Sequence, residues 1–577
     1  MRKIASILAL ATALTGCGQG TSPAPAPSTS TDDPSMTAMM DAMRGFPCHQ
    51  MGGMWMGDCT FDEYGQPILK DAAPHEASSS VLPEHYDTST DGLPHATQPI
   101  VVPLRDGDSY GLTAGFVQQQ VGGRTLRRLA YNEMIPGPIL QVPQGAQITL
   151  HFTNTIDEET TIHSHGLRGD YTMDGVPGNP SPAVQPGQTF SYTLEFPDAG
   201  VFWYHPHVRE DRQQDGGLYG NYLVEPSMPD YWTAGVREES WILDDLSLEP
   251  YRTDTIDHAM MGRYGSVQLL NNEQAFQATA QAGETVRYFV TNTANARPFR
   301  LQVDGAQMKV VGGDLGRAEH EQLVGPEGIT IAPAERWILE VYYPETGSYS
   351  IRNNTPEGTV TLGTVTVSST AESDARVLFD TLRDNSADYA ELRQYIATLE
   401  GQPAEKHLRM SIDMPGMGQG MGSHRMHGQA ATETDGIEWS DPMEAMNRMS
   451  TSENTTWQLI DTDTGAVNEA IDWRFAEGER VVIEVYNDPQ SMHPMQHPLH
   501  FHGQRFVVLS RDGEPNSSLQ WKDTVLIPAG QRVRLLLENT TPGVWMAHCH
   551  IAEHLHSGMM FPFTVGEYTV PEALRGH

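Results

Sequence analysis

The amino-acid sequence predicts an all-β protein built from three related domains of the β-sandwich or barrel type. Its 577 residues suffice for about three domains of ordinary size. Segments that alternate apolar and polar residues, such as 147–152 and 480–486, are separated by Gly, Pro, Asn and Asp, which is typical of strands joined by turns. A similar strand-entry motif occurs at 142–155, 282–293 and 476–487, and this repetition indicates three related domains.

The N-terminus is typical of an export signal. Arg2 and Lys3 precede an apolar stretch over 4–14, and Leu-Thr-Gly-Cys closes the segment at Cys17. The stretch is too short to remain as a membrane span, and its last four residues resemble a bacterial lipobox. We therefore expect a signal peptide at 1–16, lipid attachment to Cys17, and a periplasmic or cell-surface lipoprotein. A plain secretory peptide with a chance cysteine is the alternative.

Composition suggests how the rest of the chain is organised. Residues 17–96 are rich in Ser, Thr, Pro, Ala and Met, which favours a disordered tether behind the lipid. The three domains are expected at 97–228, 238–370 and 453–570. Between the last two, 371–452 breaks the alternation, so we predict a linker with a helix at 374–399 and a Gly- and Met-rich loop after it.

The 4 cysteines fall into three groups. Cys17 is assigned to the lipid, and a disulfide between Cys48 and Cys59 is the default expectation in an exported protein. Cys549 is then a lone thiol in an oxidising compartment, where binding to a metal would protect it.

The formal net charge is −38. Such a surface repels nucleic acid and anionic lipid and attracts cations, although solubility alone would also explain it. No basic, aromatic-interleaved segment suggests a nucleic-acid partner.

Four histidine motifs carry the functional prediction. Each His-x-His pair is weak evidence alone, but alternate residues of a strand face the same side, so each pair presents two imidazoles to one place. Eight imidazoles can hold several metal ions, and the first and last domains must meet to bring them together. The motifs are His163-Ser164-His165, His205-Pro206-His207, His500-Phe501-His502 preceded by His497, and His548-Cys549-His550 followed by His554 and Met559.

Cys549 has the opposite parity to its flanking histidines, so it points to a separate site. A thiolate, two imidazoles and a weak thioether form a blue electron-transfer copper site. Cys549, His497, His554 and Met559 supply that set. The backbone of 548–550 would then join the two sites and give electrons a short route between them.

With these motifs in this order, the sequence resembles the three-domain multicopper oxidases of the laccase and copper-efflux oxidase family over about 97–570. The resemblance implies three cupredoxin-like Greek-key domains with a Met-rich insert before the third. It also implies four copper ions and two proton-donating acids, Asp174 and Glu553, for which solvated surface carboxylates are the alternative. By the same match, the type 1 copper takes His497, Cys549, His554 and Met559, the type 2 copper takes His163 and His500, and the type 3 pair takes His165, His205, His207, His502, His548 and His550.

The expected reaction is one-electron oxidation of Cu(I) or of small phenols, coupled to four-electron reduction of dioxygen to water, in a membrane-anchored monomer that serves copper tolerance. Exposed thioethers in 410–449 would suit Cu(I), although a flexible linker would also explain them. In copper-efflux oxidases an acid lies four residues before the type 1 histidine, but His493 stands there in this chain. A general laccase and a copper-storage or transfer protein are the alternatives. The possible Cu(I) ligands are Met492, His493, Met495, Met414, Met417 and Met421.

Overall fold

The computed structural model describes residues 49–51, 54–56, 85–178, 180–371, 375–414 and 435–568. Cys17, Cys48, Cys59, Met417 and Met421 lie outside the described residues, so the predictions made for them stay predictions. Within the described ranges, no helix is long and apolar enough to cross a membrane.

Part of the predicted tether has regular structure. Strands His49–Met51 and Met54–Met56 pair antiparallel, which differs from the expected disorder. Further along, the Ala96 backbone N–H donates to the Gln118 carbonyl at 3.0 Å. Residues 85–96 therefore differ from the expected tether as well, because they contact the first domain.

The first domain consists of two sheets that enclose a shared apolar core. In Gln147–Asn154 the side chains of Ile148, Leu150 and Phe152 are buried between more exposed neighbours, as the period-two pattern predicts. The four-stranded sheet has the order Arg124–Tyr131, Ser109–Val121, Gln147–Asn154, Thr189–Glu195. The five-stranded sheet has the order Val101–Pro103, Ile139–Pro143, Gly220–Glu225, Gly200–His205, His163–His165.

The second domain repeats this plan around its own core. Its six-stranded sheet has the order Val267–Leu270, Arg237–Leu246, Glu284–Asn292, Arg336–Tyr343, Gln307–Gly313, Gly316–Leu323. Its five-stranded sheet has the order Phe276–Ala282, Gly358–Thr370, Gly347–Thr355, Phe299–Val303, Ile329–Ile331.

The third domain has the same two layers, and the predicted all-β architecture is confirmed. Its six-stranded sheet has the order Thr456–Asp461, Lys406–Asp413, Glu479–Asn487, Arg532–Asn539, Arg505–Arg511, Glu514–Pro515. Its five-stranded sheet has the order Trp473–Phe475, Met560–Val565, Gly543–Cys549, His497–Phe501, Thr524–Ile527.

The repeated strand-entry motif has a structural counterpart. Each of its three strands, Gln147–Asn154, Glu284–Asn292 and Glu479–Asn487, has one parallel neighbour that precedes it in the chain. In the third domain that neighbour is Lys406–Asp413, which the sequence analysis assigned to the linker. Leu408, Met410 and Ile412 alternate into the core. The pattern was missed because a methionine occupies one of these core positions.

Helices are few and short in the part of the chain that the structure describes. The helix predicted at 374–399 is divided, because residues 381–385 between its parts are not helical. Within the described ranges, the α-helices are Glu210–Gln213, Arg376–Asp380, Ala390–Thr398, Glu444–Met449 and Ala552–His556, and the 3-10 helices are Tyr171–Met173, Ser386–Tyr389 and Asn468–Ala470.

Candidate metal centres

Cys549 ends the strand Gly543–Cys549 and lies in a site of its own. Its Sγ is 3.5 Å from Nδ1 of His497 and 3.5 Å from Nδ1 of His554, and these two Nδ1 atoms are 3.2 Å apart. All three side chains are buried. Met559 and Cys549 are both buried in the apolar core of the third domain, and the Met559 carbonyl accepts the Cys549 N–H at 3.1 Å. The predicted type 1 residues are therefore gathered around the thiol.

The electrostatics of this site favour a bound cation. Burial raises the pKa of the Cys549 thiol, so a thiolate there needs a positive partner. Burial, followed by the nearby His493, lowers the pKa of His497 to about 3, which keeps this imidazole neutral and able to bind a metal. Trp457 covers the site, with its ring centroid 4.2 Å from that of His554 and 4.7 Å from that of His497.

The other eight histidines converge at the ends of strands from the first and third domains. His205 pairs in register with His163, and His500 with His548, so each sheet edge presents its imidazoles together. The predicted meeting of the first and last domains is observed at this point. Ring nitrogens lie within 4.8 Å of one another in the groups His163, His165, His500; His165, His205, His550; and His207, His502, His548.

Neighbouring acceptors fix the orientation of most of these rings. His163, His500, His205 and His548 each donate from Nδ1 to a backbone carbonyl, at 2.7, 2.9, 2.8 and 2.8 Å. Nδ1 of His207 lies instead 2.9 Å from a carboxylate oxygen of Glu210.

The orientation of the rings leaves buried nitrogens available as ligands. Nε2 of His163, His205, His207 and His500 has no hydrogen-bond partner among the described residues. Nε2 of His502 and Nε2 of His548 lie 3.0 Å apart. Buried nitrogen lone pairs that converge, on rings whose other nitrogen is fixed by a hydrogen bond, are a typical metal-binding arrangement. The donor set therefore fits copper ions. The two triads His165, His205, His550 and His207, His502, His548 fit a pair of metal ions.

Both predicted acids are buried, so the surface-carboxylate alternative is wrong. Asp174 lies between two histidines, 3.2 Å from Nδ1 of His163 and 2.9 Å from Nδ1 of His502. Burial opposes ionisation of Asp174, but these two histidines hold its pKa well below the usual range. Burial, reinforced by Asp211, raises the pKa of Glu553 to about 8. Glu553 is therefore able to hold a proton near neutral pH.

The predicted Cu(I) ligands have unequal access to solvent. Met492 is 46% exposed, whereas His493 is 6%, Met414 7% and Met495 0% exposed. The expectation of an exposed thioether at Met414 is wrong, because this residue continues the inward alternation of Lys406–Asp413 into the core. Met495 packs in the same core. Among the described candidates, Met492 is the accessible thioether.

Sequence reasoning missed four residues that contact the candidate site. Asn295 donates to both oxygens of the Glu553 carboxylate, at 2.8 and 2.6 Å. Asp523 accepts from Nε2 of His165 at 2.9 Å. Glu210 and Trp457 are the other two. None lies in a recognisable motif. Asn295, Asp523 and Trp457 reach the site by tertiary contact, whereas Glu210 contacts His207 from only three residues further along the chain.

Comparison with known proteins gives consistent matches. Family models described as multicopper oxidase match residues 116–229 and 438–568. Multicopper oxidase MmcO of Mycobacterium tuberculosis is 26% identical over 471 residues, covering 76% of this chain and 83% of that protein. A copper resistance protein A homolog of Pseudomonas syringae pv. tomato is 23% identical, covering 82% and 95%. A solved multi-copper oxidase of Pseudomonas thermotolerans has a TM-score of 0.59 at 25% identity, covering 81% of this chain and 100% of that one.

Proposed function

Because the chain belongs to the multicopper oxidase family, we propose that it oxidises Cu(I) and reduces dioxygen to water. Four Cu(I) ions each lose one electron, and these four electrons with four protons convert one dioxygen into two water molecules. The observation that carries the proposal is Cys549, which is buried between two imidazoles and bonded through the backbone to His548 and His550.

The ligand geometry supports a count of four copper ions. Bound copper supplies the one-electron redox chemistry at both centres. His497, Cys549, His554 and Met559 would hold the ion that accepts electrons from the reductant. The histidine groups would hold three more, with His163 and His500 on the type 2 ion and the triads His165, His205, His550 and His207, His502, His548 on the type 3 pair.

The two buried acids have different protonation states, which suits different roles. Asp174 would stay ionised and orient His163 and His502 through its hydrogen bonds. Glu553 would hold a proton near neutral pH and release it toward the reduction site. Asn295 keeps that carboxyl in place by donating to both of its oxygens.

Glu553→Gln should slow dioxygen reduction without slowing reduction of the type 1 centre, because glutamine keeps the shape of Glu553 but has no acidic proton. Since protonated Glu553 is the donor, the parent rate should fall as pH rises through about 8, and the variant should lack that step. Stopped-flow absorbance would separate the two half-reactions. Glu469→Gln, on an exposed 3-10 helix, is the matched control. An unchanged pH profile in Glu553→Gln would remove this acid from the proton supply.

Cu(I) is the preferred reductant because soft ligands lie near the electron-entry site. Met492 is exposed, and the adjacent His493 is close enough to depress the pKa values of His497 and His554. A thioether and an imidazole bind Cu(I) well. One of the relatives is named a copper resistance protein, which supports a role in copper tolerance. Export, lipid attachment at Cys17 and a monomeric state remain part of this proposal.

Oxygen uptake with Cu(I), with a phenol, and with neither distinguishes the proposed function from its alternatives. A cuprous oxidase consumes dioxygen fastest with Cu(I). A general laccase would prefer the phenol, and a copper-storage protein would consume little with either.

Deleting 415–428 should sharply reduce Cu(I) oxidation while sparing or raising oxidation of bulky phenols. This segment contains Met417, Met421 and Met426, whose thioethers would concentrate Cu(I). The deletion starts after Met414 because residues 410–414 belong to the third-domain core or its edge. A variant with the three methionines changed to leucine controls for loop length. Parent rates of Cu(I) oxidation in both variants would favour the laccase alternative.

Met492→Leu should weaken Cu(I) turnover with little effect on phenols, because it removes an exposed sulfur and keeps the apolar volume. Met495→Leu is the matched control, since the same change three residues away affects a fully buried thioether. The KM for Cu(I), measured by oxygen uptake, should rise in the first variant alone. Equal effects in the two variants would indicate altered packing rather than lost ligation.

A further inference from the structure

Arg336 is a buried cation through which the second domain reaches the histidine cluster. That domain supplies no side chain to the metal-binding groups found among the described residues. Arg336 is the first residue of the strand Arg336–Tyr343 and is fully buried. Its Nη1 donates to Asp523 Oδ1 at 2.6 Å, its Nη2 donates to Asp523 Oδ2, and its Nε donates to the Val201 carbonyl at 3.0 Å. Arg336 therefore contacts both the first and the third domain.

Asp523 connects this guanidinium to the cluster. Its Oδ1 accepts from Nε2 of His165 at 2.9 Å, and its backbone carbonyl accepts from Nδ1 of His500 at 2.9 Å. The Thr524 hydroxyl donates to the same Oδ1 at 2.8 Å. The rings of His165 and His500 stack with their centroids 3.7 Å apart. One short segment thus orients a histidine of the first domain and a histidine of the third.

His165, like His207 and His502, is oriented by a side-chain carboxylate rather than by a backbone carbonyl. Four of the other cluster histidines donate from Nδ1 to a backbone carbonyl, which is fixed by the fold. His165 instead uses Nε2, which lies 2.9 Å from the Asp523 carboxylate and 3.0 Å from the Thr524 hydroxyl oxygen, and its Nδ1 has no hydrogen-bond partner among the described residues. His165 belongs both to the group with His205 and His550 and to the group with His163 and His500. The acceptor that sets this tautomer is a side chain, so it needs its own support.

Gly166 shows how closely the ion pair of Arg336 and Asp523 packs against the His-Ser-His-Gly motif at 163–166. This glycine has φ +86°, and a Cβ placed on it would lie 2.8 Å from Arg336 Nη2 and collide with the Asp523 carboxylate. The glycine that follows His165 therefore makes room for the ion pair.

We propose that Arg336 is a positioning residue for dioxygen reduction. It holds the Asp523 carboxylate so that His165 keeps its proton on Nε2 and presents Nδ1 toward His205 and His550. The inference rests on the proposed function, because it takes these histidines as copper ligands. It assigns a role to the second domain, which orients a ligand set that belongs to the other two domains.

Arg336→Met and Arg336→Lys test this role. Methionine removes the charge, and lysine keeps it without the two-pronged contact. We expect the copper-loaded Arg336→Met protein to keep the parent type 1 absorption but to lose type 3 absorption and copper from the cluster. Its kcat for dioxygen reduction should fall about 10- to 100-fold, as is usual when support of a metal ligand is lost. Arg336→Lys should be intermediate. Anaerobic reduction of the type 1 centre should stay at the parent rate in both.

Arg287→Met is the matched control for breaking a buried ion pair. Nη2 of Arg287 lies 2.6 Å from Glu340 Oε1, and both side chains are buried in the same domain but away from the cluster. Its Tm should drop, yet the copper count and type 3 absorption of the folded fraction should match the parent. Asp523→Asn supplies a second route to the same defect if Arg336→Met does not fold.

Two outcomes would overturn the inference. One is a parent-like type 3 signal, copper count and kcat in folded Arg336→Met. The other is a loss of type 1 and type 3 signals in equal proportion, as in general unfolding. Absence of any type 3 signal from the parent protein would instead contradict the proposed function and leave the Arg336 contact as a structural one.

Discussion

Replacing Cys549 with serine should abolish the blue colour of the copper-loaded protein and nearly all of its oxidase turnover. The colour arises from charge transfer between thiolate sulfur and copper, and within the described residues Cys549 is the free thiol. A serine oxygen is a harder ligand than a thiolate sulfur, and its bonds to carbon and to a metal are shorter. It is therefore poorly suited to a site formed by two Nδ1 atoms, each 3.5 Å from the sulfur. Electrons would also lose the covalent route from this site to His548 and His550.

The measurement combines visible absorption, copper content per chain and oxygen uptake. We expect the variant to keep the cluster copper and to lose one ion, because the cluster histidines have their own hydrogen-bond partners. Oxygen uptake with Cu(I) should fall to the level of the copper-free protein. Persistence of the blue absorption in the serine variant would place the type 1 copper elsewhere.

Local patterns predicted the parts of the site that depend on strand geometry. Alternation along a strand puts Cys549 opposite to His548 and His550, and this parity alone separates the two centres. The same rule brings His163 and His165 to one side. Because the four motifs occur in the first and last domains, it followed that these domains meet, and the structure has them in contact there.

The residues that hydrogen-bond to the predicted site residues from distant parts of the chain could not be predicted in this way. Asp523 is 358 positions from His165, and Asn295 is 258 positions from Glu553. No periodicity or motif links residues so far apart, since their contact depends on how three domains pack. Met414 was misinterpreted for a different reason: composition marked it as a possible soft ligand, whereas its position directly after Lys406–Asp413 makes it a core residue.

Changing His500 to alanine should leave the copper-loaded protein blue while stopping dioxygen reduction. His500 is fully buried, and its ring stacks on His165 inside the cluster. The strand that carries it also carries His497, three residues earlier, in the Cys549 site. The two side chains thus belong to different centres although they share one strand. Removing one imidazole empties a ligand position in the cluster and does not touch the thiolate site.

His165→Ala should give the same separation of colour from activity, and the measurement is visible absorption together with oxygen uptake. His151→Ala is the matched control, because this histidine is exposed on a first-domain strand and contacts Ser191 rather than the cluster. The control should keep both the colour and the activity.

In His500→Ala, anaerobic Cu(I) should still bleach the blue band, since electrons can enter at the Cys549 site. Readmitted dioxygen should then fail to restore the colour quickly, because the reduced protein cannot pass its electrons on. If colour and activity fell together in both cluster variants, the division of ligands between the two centres would be wrong.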